Sequence, residues 1–177
     1  MSSNLLNGNN LRNNEEIHTK FLIVGSGAGG AVASNLLNKY NKDTLVVEEG
    51  DLSKEIQSPY LSQNLNKWRN RGMIPIRSGT KIISYAEGSC VGGSTEINGA
   101  LMWKTPEKIL DNWEKKYQLE NISMNKMAPY FNEYEKQLSI SYQEEENTNN
   151  LSKKILEISE TLGWSNEKEK RAQKGCK

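Results

Sequence analysis

A short apolar run that ends in a glycine-rich turn constrains the fold of this chain more than any other feature. Phe21 to Val24 reads FLIV, and GSGAGG follows at residues 25–30. An apolar run ended by glycine is typical of a strand buried on both faces of a sheet. The next apolar side chains recur at helical spacing and predict a helix: Val32, Leu36, Leu37 and Tyr40.

A second strand is predicted at Thr44 to Glu48, after polar residues 41–43 interrupt the helical pattern. Strand, helix and strand within about 30 residues form a βαβ unit, with parallel strands and a right-handed crossover. The fold class predicted for the chain is therefore α/β, with a Rossmann-like parallel sheet and helices. This sheet is expected to be incomplete and to be followed by amphipathic helices.

The glycines between the first strand and the helix have the spacing G-x-G-x-x-G. Gly25 allows a tight turn, Gly27 leaves room for a pyrophosphate near the backbone, and Gly30 lets the helix pack closely on the strand. The helix N-terminus adds unpaired N–H groups and a partial positive charge. The predicted phosphate-binding loop also includes the intervening residues Ser26, Ala28 and Gly29.

An acidic residue stands where this type of site needs one. Glu48 lies 18 residues past Gly30, at the end of the second predicted strand. A carboxylate there accepts both hydroxyls of an adenosine ribose and repels a 2′-phosphate. The pattern predicts a site for an ADP-containing dinucleotide; the alternative is an ordinary turn with a solvated glutamate.

A second glycine-rich stretch, GSCVGGSTEINGA, begins at Gly88. Gly92 and Gly93 supply backbone N–H donors, and Ser94 and Thr95 stand where a further helix is expected to begin. On that helix Ser94 and Asn98 would share one face. Two glycine nests indicate a ligand long enough to contact the chain twice, which favours FAD over a nicotinamide nucleotide. A glycine-rich turn that merely precedes a helix remains the alternative.

Together these segments resemble the N-terminal part of the glucose–methanol–choline (GMC) family of FAD-dependent oxidoreductases. The resemblance rests on FLIVGSGAGG, LVVEEG and GSCVGGSTEINGALMWKTP, and the segment Trp103–Pro106 is similar to the long-chain-alcohol-oxidase-like members. It implies that Gly25, Gly27, Gly30 and Glu48 hold the ADP half of FAD. It implies further that residues 92–98 lie against the pyrophosphate and the flavin. The implied reaction oxidises an alcohol at its CH–OH group, with hydride transfer to flavin N5.

The resemblance also implies that the catalytic histidine and its His or Asn partner belong to a C-terminal part beyond residue 177. The single histidine, His18, lies in a polar stretch, and residues 1–19 are predicted to be a disordered tail. Residues 20–177 are then a truncated N-terminal portion of a GMC-type FAD-binding domain, without a catalytic residue of its own. A separately encoded C-terminal part is one candidate partner; the alternatives are a non-catalytic nucleotide-binding module, an inactive remnant or a one-unit NAD-dependent dehydrogenase.

Composition excludes several other classes of protein. The 177 residues carry 23 basic and 22 acidic side chains, so there is no basic excess to attract nucleic acid. Two cysteines and one histidine are too few for a structural zinc site, and no metal site is predicted. Neither a membrane span nor an export signal is evident, which predicts a cytoplasmic protein. The resemblance to the GMC family implies a small-molecule alcohol as the substrate. Cys90 is expected to pack in the tight turn rather than to contact the cofactor.

The rest of the chain is expected to be irregular at 51–80 with one helical turn, to form a short strand at 81–86 and then to form three amphipathic helices. Pro106 is predicted at the first position of the first helix and Ser123 at the cap of the second. Ser152 is predicted to cap the third helix, and Gly163 to end it. No terminating element is predicted in the last dozen residues.

Overall fold

The computed structural model describes residues 5–11, 16–52 and 61–174. It divides into two compact units, Met1–Ile97 and Asn98–Lys177. The first unit contains the glycine loop at 25–30 and residues 88–97 of the second glycine-rich stretch, and the second unit contains the three predicted amphipathic helices.

The first unit begins with the predicted βαβ arrangement. Strand β1 covers Phe21–Val24, helix α1 covers Ala28–Lys39 and strand β2 covers Thr44–Val47. The two strands are parallel, with Phe21 opposite Thr44 and Val24 opposite Val47. The α/β, Rossmann-like prediction is confirmed, and it places the glycine loop at the carboxyl end of β1.

One part of the strand prediction is wrong, because β1 is not buried on both faces. Ile23 lies beside Gly30 of α1, whereas the alternate side chains Leu22 and Val24 are 58% and 80% exposed. Successive strand residues point to opposite faces. In the described residues this sheet has two strands, so the face turned away from α1 is left open.

The region predicted to be irregular contains a β-hairpin. After helix α2 at Leu61–Leu65, strand β3 covers Ile74–Ser78 and pairs antiparallel with β4 at Lys81–Tyr85. Gly79 opens the two-residue turn with φ of +61°, a conformation that glycine adopts without strain. The expected strand at 81–86 is confirmed, the irregular assignment is wrong for β3, and residues 53–60 lie outside the described residues.

The second glycine stretch does not open an α-helix. It forms a 3-10 turn at Gly93–Glu96, preceded by Gly92 with φ of +96°; Gly93 itself has φ of +59°. These left-handed conformations allow a tight turn but cannot continue into a regular helix. The predicted helical face shared by Ser94 and Asn98 is therefore absent from this stretch.

The second unit contains the three predicted helices and a small sheet. Helices α3, α4 and α5 cover Glu107–Tyr117, Met124–Gln137 and Asn150–Thr161. Strands β5 (Ile140–Tyr142) and β6 (Lys170–Ala172) pair antiparallel, with Ile140 opposite Ala172. The expectation of no element near the end is wrong for β6, which forms because it pairs with a strand some thirty residues away.

The helix N-termini differ in detail from the predictions. Pro106 occupies the N-cap position of α3 rather than the first helical position, and Ser123 occupies that of α4 without a side-chain cap bond. Asn149, not Ser152, caps α5, because its Oδ1 accepts the Ser152 N–H at 2.8 Å. Asparagine is as good an N-cap as serine, so sequence alone does not choose between them.

The predicted stop at Gly163 is confirmed. Gly163 has φ of +68° and its N–H donates to Glu160 O at 3.1 Å, while Trp164 N–H donates to Ser159 O at 2.9 Å. These two bonds form a Schellman motif, which satisfies carbonyls that the end of a helix leaves free.

In the same unit Leu110 of α3 is 2% exposed and lies at the core. Within the ranges that the structure describes, no helix has both the length and the apolar character that a membrane crossing requires.

Candidate dinucleotide-binding site

The glycine loop is held between the two parallel strands and the start of α1. Gly25 has φ of +88°, and its N–H donates to Val47 O at 2.8 Å, so the loop turns directly against the end of β2. A Cβ at Gly30 would overlap the Gly25 carbonyl group and come within 3.3 Å of Ile23. A side chain at Gly30 would therefore push α1 away from β1, as the sequence pattern predicts.

Gly27 leaves an open cradle at the N-terminus of α1. Its φ of −63° and ψ of −171° are ordinary extended values, and it is the N-cap residue without a side-chain cap bond. A Cβ built on Gly27 would meet nothing within 4 Å. The N–H groups of the first helical turn have no partner within the helix. This combination of open space, N–H donors and a positive helix end fits a pyrophosphate group.

Glu48 points back to the glycine loop. Its Oε2 accepts the Ser26 N–H at 2.8 Å and the Ser26 hydroxyl at 2.7 Å, and its Oε1 accepts the Gly50 N–H at 3.1 Å. Partial burial by itself would raise the pKa of Glu48, but the hydrogen bonds from Ser26 and Gly50 and the charge of Arg69 lower it below its ordinary value. Glu48 is thus a carboxylate at neutral pH, as an acceptor of ribose hydroxyls needs to be.

Ser26 connects the two glycine-rich stretches. Its Oγ donates to Glu48 and accepts the Gly92 N–H at 2.9 Å, across 66 residues of sequence. A Cβ on Gly93 would lie 3.2 Å from Gly27 Cα, so the two stretches are in close contact there as well. The residues predicted for the pyrophosphate, the ribose and the second nest are therefore adjacent in the first unit.

The side chains that follow Gly93 form hydrogen bonds with backbone groups close to them in sequence. Ser94 Oγ accepts the Gly88 N–H at 3.0 Å, and Thr95 Oγ1 donates to Gly92 O at 2.6 Å. Asn98 is the first residue of the second unit, where its Oδ1 accepts the Ala100 N–H at 2.8 Å. The contact of these three residues with a cofactor stays a prediction.

Sequence reasoning missed two glycines that shape the site. A Cβ on Gly50 would overlap the backbone of Ser89 and Cys90, and a Cβ on Gly88 would overlap the backbone of Gly93. These close approaches bring the second glycine stretch against the end of β2, where Val91 N–H donates to Asp51 O at 3.2 Å. Both glycines directly follow a glutamate at a predicted strand end, a pattern that signals a turn but not its partner.

Cys90 lies in this contact and is buried. Burial raises the pKa of its thiol, the nearby Glu96 and Glu48 carboxylates act in the same direction, and Sγ lies 3.8 Å from Gly93 O. A buried thiol with a raised pKa is unreactive, which favours the packing role predicted from the sequence.

The neighbouring glutamate faces a different partner. The Glu49 carboxylate pairs with the Arg69 guanidinium, which also pairs with Glu87. Both glutamates lie just past the end of β2, where Glu48 bonds to Ser26 and Glu49 pairs with Arg69. His18 is exposed, with Nε2 3.4 Å from Glu16 Oε1. In the described ranges no group of three or more His, Cys, Asp or Glu side chains is arranged to hold a metal ion.

A parallel βαβ unit with an open glycine cradle and a carboxylate at the end of its second strand defines a dinucleotide-binding α/β protein. The family model described as GMC oxidoreductase matches residues 19–177. The chain therefore belongs to the GMC oxidoreductase family. The predicted resemblance to the N-terminal part of a GMC family member, with FAD as the cofactor, is confirmed.

Individual relatives agree with this assignment. The chain is 33% identical over 175 residues to the GMC-type oxidoreductase y4nJ of Sinorhizobium fredii, covering 96% of this chain and 34% of that protein. It is 34% identical over 106 residues to the long-chain-alcohol oxidase FAO4A of Arabidopsis thaliana, covering 59% of this chain and 14% of that protein. The chain thus spans about a third or less of these relatives.

A solved structure shares the fold. An FAD-dependent oxidoreductase from Chaetomium thermophilum superposes with a TM-score of 0.54 at 20% identity, covering 71% of this chain and 24% of that one. At this identity the likeness supports the α/β fold alone.

Proposed function

We propose that this chain forms the FAD-binding N-terminal portion of an oxidoreductase that acts on the CH–OH group of an alcohol. The observation that carries the proposal is the joining of both glycine stretches and Glu48 through the Ser26 hydroxyl. FAD, when bound, supplies the flavin N5 that accepts a hydride from the carbinol carbon. The named relative that oxidises long-chain alcohols supports an alcohol as the substrate class.

Each part of the site has a role in holding this cofactor. The N–H groups at the start of α1, exposed beside Gly27, would bind the pyrophosphate. The Glu48 carboxylate would accept the adenosine ribose hydroxyls in place of one of its present bonds to Ser26 or Gly50. Gly92 and Gly93 would let the backbone of the second stretch approach the far side of the pyrophosphate and the flavin closely, while their own N–H groups donate to Ser26 Oγ and to Cys90 O. Ser94 and Thr95, in the same unit, would line the same end, and a contact of Asn98 with the cofactor stays a prediction.

Cofactor choice tests the proposal directly. Purified chain is titrated with FAD, with NADH and with ADP, and binding is followed by flavin fluorescence quenching and calorimetry. We expect FAD and ADP to bind, and Glu48→Gln to weaken both. Tighter binding of NADH than of FAD would instead support a one-unit NAD-dependent dehydrogenase, and binding of neither would exclude a dinucleotide site.

The chain by itself is expected to be inactive. General-base catalysis needs a group whose pKa lies near the working pH, and histidine is the usual choice. The single histidine of the chain, His18, precedes β1 and is exposed. We therefore propose that proton removal depends on residues outside this sequence, on the same or a separately encoded chain. Anaerobic bleaching of bound flavin by a primary alcohol, a sugar or choline with this chain alone would contradict this.

If no such partner residues exist in the cell, the chain is a nucleotide-binding module or an inactive remnant. Co-expression with a histidine-containing C-terminal GMC segment separates the two cases, because only a true partner restores dye reduction by an alcohol. A cytoplasmic location and the lack of nucleic-acid binding stay predictions.

A further inference from the structure

A cavity of about 350 Å³ lies beside Glu48 in the first unit. On the inner side it is lined by Ser26, Val46, Glu48 and Val91, and on the outer side by residues 5–9 of the N-terminal segment. The segment that the sequence predicts to be a solvated tail thus forms a wall of the cavity next to the candidate ribose acceptor.

This part of the N-terminal segment has its own folded turn. Asn7 Oδ1 accepts the Asn9 N–H at 2.9 Å, Asn7 O accepts the Asn10 N–H at 2.9 Å and Gly8 O accepts the Leu11 N–H at 3.2 Å. These bonds close a 3-10 turn at Gly8–Asn10 and hold Leu5 and Leu6 just ahead of it. The asparagines that suggest a solvated tail therefore serve as the turn's own hydrogen-bonding groups.

The chemistry of the cavity suits a nucleoside. Apolar side chains line it from both sides, at Leu5, Leu6, Val46, Leu52 and Val91. The acidic residues Glu48, Glu49 and Asp51 line it as well, and of these Glu48 is the acceptor that bonds to the glycine loop. A flat base can cover apolar surface while ribose hydroxyls bond to the carboxylate. Leu5 and Leu6 are 70% and 54% exposed, so apolar surface is available for a ligand to cover. The volume lies within the usual range for small-ligand pockets, roughly 300–1,000 Å³.

We propose that residues 5–9 form the outer wall of the site for the adenosine half of the dinucleotide, with Leu5 and Leu6 against the base. The inference rests on the proposed function, because it needs the Glu48 carboxylate to hold the ribose. It adds that the segment before β1 belongs to the binding site and excludes water from the ribose–carboxylate contact.

The test compares two matched pairs of exposed leucines. Leu5→Ser/Leu6→Ser changes the proposed wall, and Leu151→Ser/Leu162→Ser changes two leucines of the second unit that are 71% and 55% exposed. ADP is the probe, since it contains the adenosine half without the flavin, and its Kd is measured by calorimetry. Circular dichroism checks that each variant keeps its secondary structure.

We expect the first pair to weaken ADP binding roughly tenfold through lost apolar contact, and the control pair to change it less than twofold. Amide exchange at Asn9, Asn10 and Leu11 is expected to slow when ADP is added to the unmodified chain. Unchanged ADP affinity in the Leu5/Leu6 variant, or unchanged exchange at these amides, would overturn the inference.

The Glu48→Gln variant separates this failure from failure of the proposed function. If Glu48→Gln weakens ADP binding while the Leu5/Leu6 variant does not, the dinucleotide site is supported and the assignment of residues 5–9 to its wall is wrong. If the unmodified chain binds neither ADP nor FAD, the proposed function and the inference both fail.

Discussion

The Ser26 hydroxyl donates a hydrogen bond to Glu48 at 2.7 Å and so joins the glycine loop after β1 to the carboxylate at the end of β2. The same oxygen accepts the Gly92 N–H at 2.9 Å. One serine side chain therefore holds together the three parts of the predicted cofactor site. This relationship sets the orientation of Glu48 before any ligand binds, and binding to a preorganised acceptor costs less ordering.

Ser26→Ala is accordingly expected to weaken FAD binding by roughly three- to tenfold, about one net hydrogen bond. The variant removes a donor to Glu48 and leaves the Gly92 N–H without its acceptor. Flavin fluorescence quenching measures the effect. Ser34→Ala is the control, because Ser34 in α1 donates only to Ala31 O, at 3.0 Å, one helical turn away. Equal FAD affinity in the two variants would show that the link through Ser26 does not position the site.

Glu48→Gln is expected to weaken dinucleotide binding by roughly 1–3 kcal/mol, since a charged acceptor of two hydroxyls becomes a weaker neutral one. Glu49→Gln should have a smaller effect, because its carboxylate pairs with the exposed Arg69 and not with the glycine loop. Calorimetric titration with ADP compares the two. A larger loss for Glu49→Gln would mean that the ribose acceptor has been wrongly assigned.

Gly27→Val is expected to abolish FAD binding while the chain stays folded. The backbone at Gly27 is extended and a Cβ there meets no neighbour within 4 Å, so the valine fills only the cradle. Gly30→Ala should instead unfold the unit, because its Cβ would overlap the Gly25 carbonyl group. Urea unfolding combined with flavin quenching distinguishes loss of binding from loss of fold.

Gly163→Ala is the control for this series, because Gly163 lies outside the candidate site. It places Cβ on a residue with φ of +68° at the end of α5, which should cost about 1–2 kcal/mol of stability and leave FAD binding intact. If the Gly27→Val variant is folded and still quenches FAD fluorescence, the assignment of Gly27 to a pyrophosphate cradle is wrong.

Stability is expected to depend on pH through Glu48. Its folded-state pKa lies below its ordinary value, so its contribution is complete above the unfolded pKa, near 4.3. The contribution is lost as the pH falls through the lower folded value. The free energy of unfolding of the unmodified chain should therefore fall toward that of Glu48→Gln as the pH is lowered from about 5 through the folded-state pKa.

Urea titrations of both chains at matched pH measure this difference. Glu135 and Glu145 also have lowered pKa values, from lysine partners, but they are present in both chains and cancel. A difference between the chains that stays constant over this range would show that the bonds to Ser26 and Gly50 do not hold Glu48 ionised.

Local patterns were sufficient for several elements. The βαβ unit depends on an apolar run, a glycine turn and a helical repeat that are contiguous in sequence, so β1, α1 and β2 were predicted nearly to the residue. Strand β3 of the hairpin was missed although Ile74 and Ile76 are two residues apart and Ser78-Gly79-Thr80 marks a turn. Pro75 within the strand made the pattern weak, because proline lacks the N–H that a ladder uses.

The sequence by itself determined the βαβ unit, the turn at Gly25 and the close packing at Gly30, and the family with its FAD cofactor, because each follows from residues close together in the chain. Only the tertiary structure decided that β6, with the polar sequence Lys-Arg-Ala, becomes a strand, since its ladder bonds come from β5. It also decided that the second glycine stretch turns instead of forming a helix and that Ser26 meets Gly92. Such contacts join residues far apart in sequence, and their free energy appears only when the backbone brings both partners together.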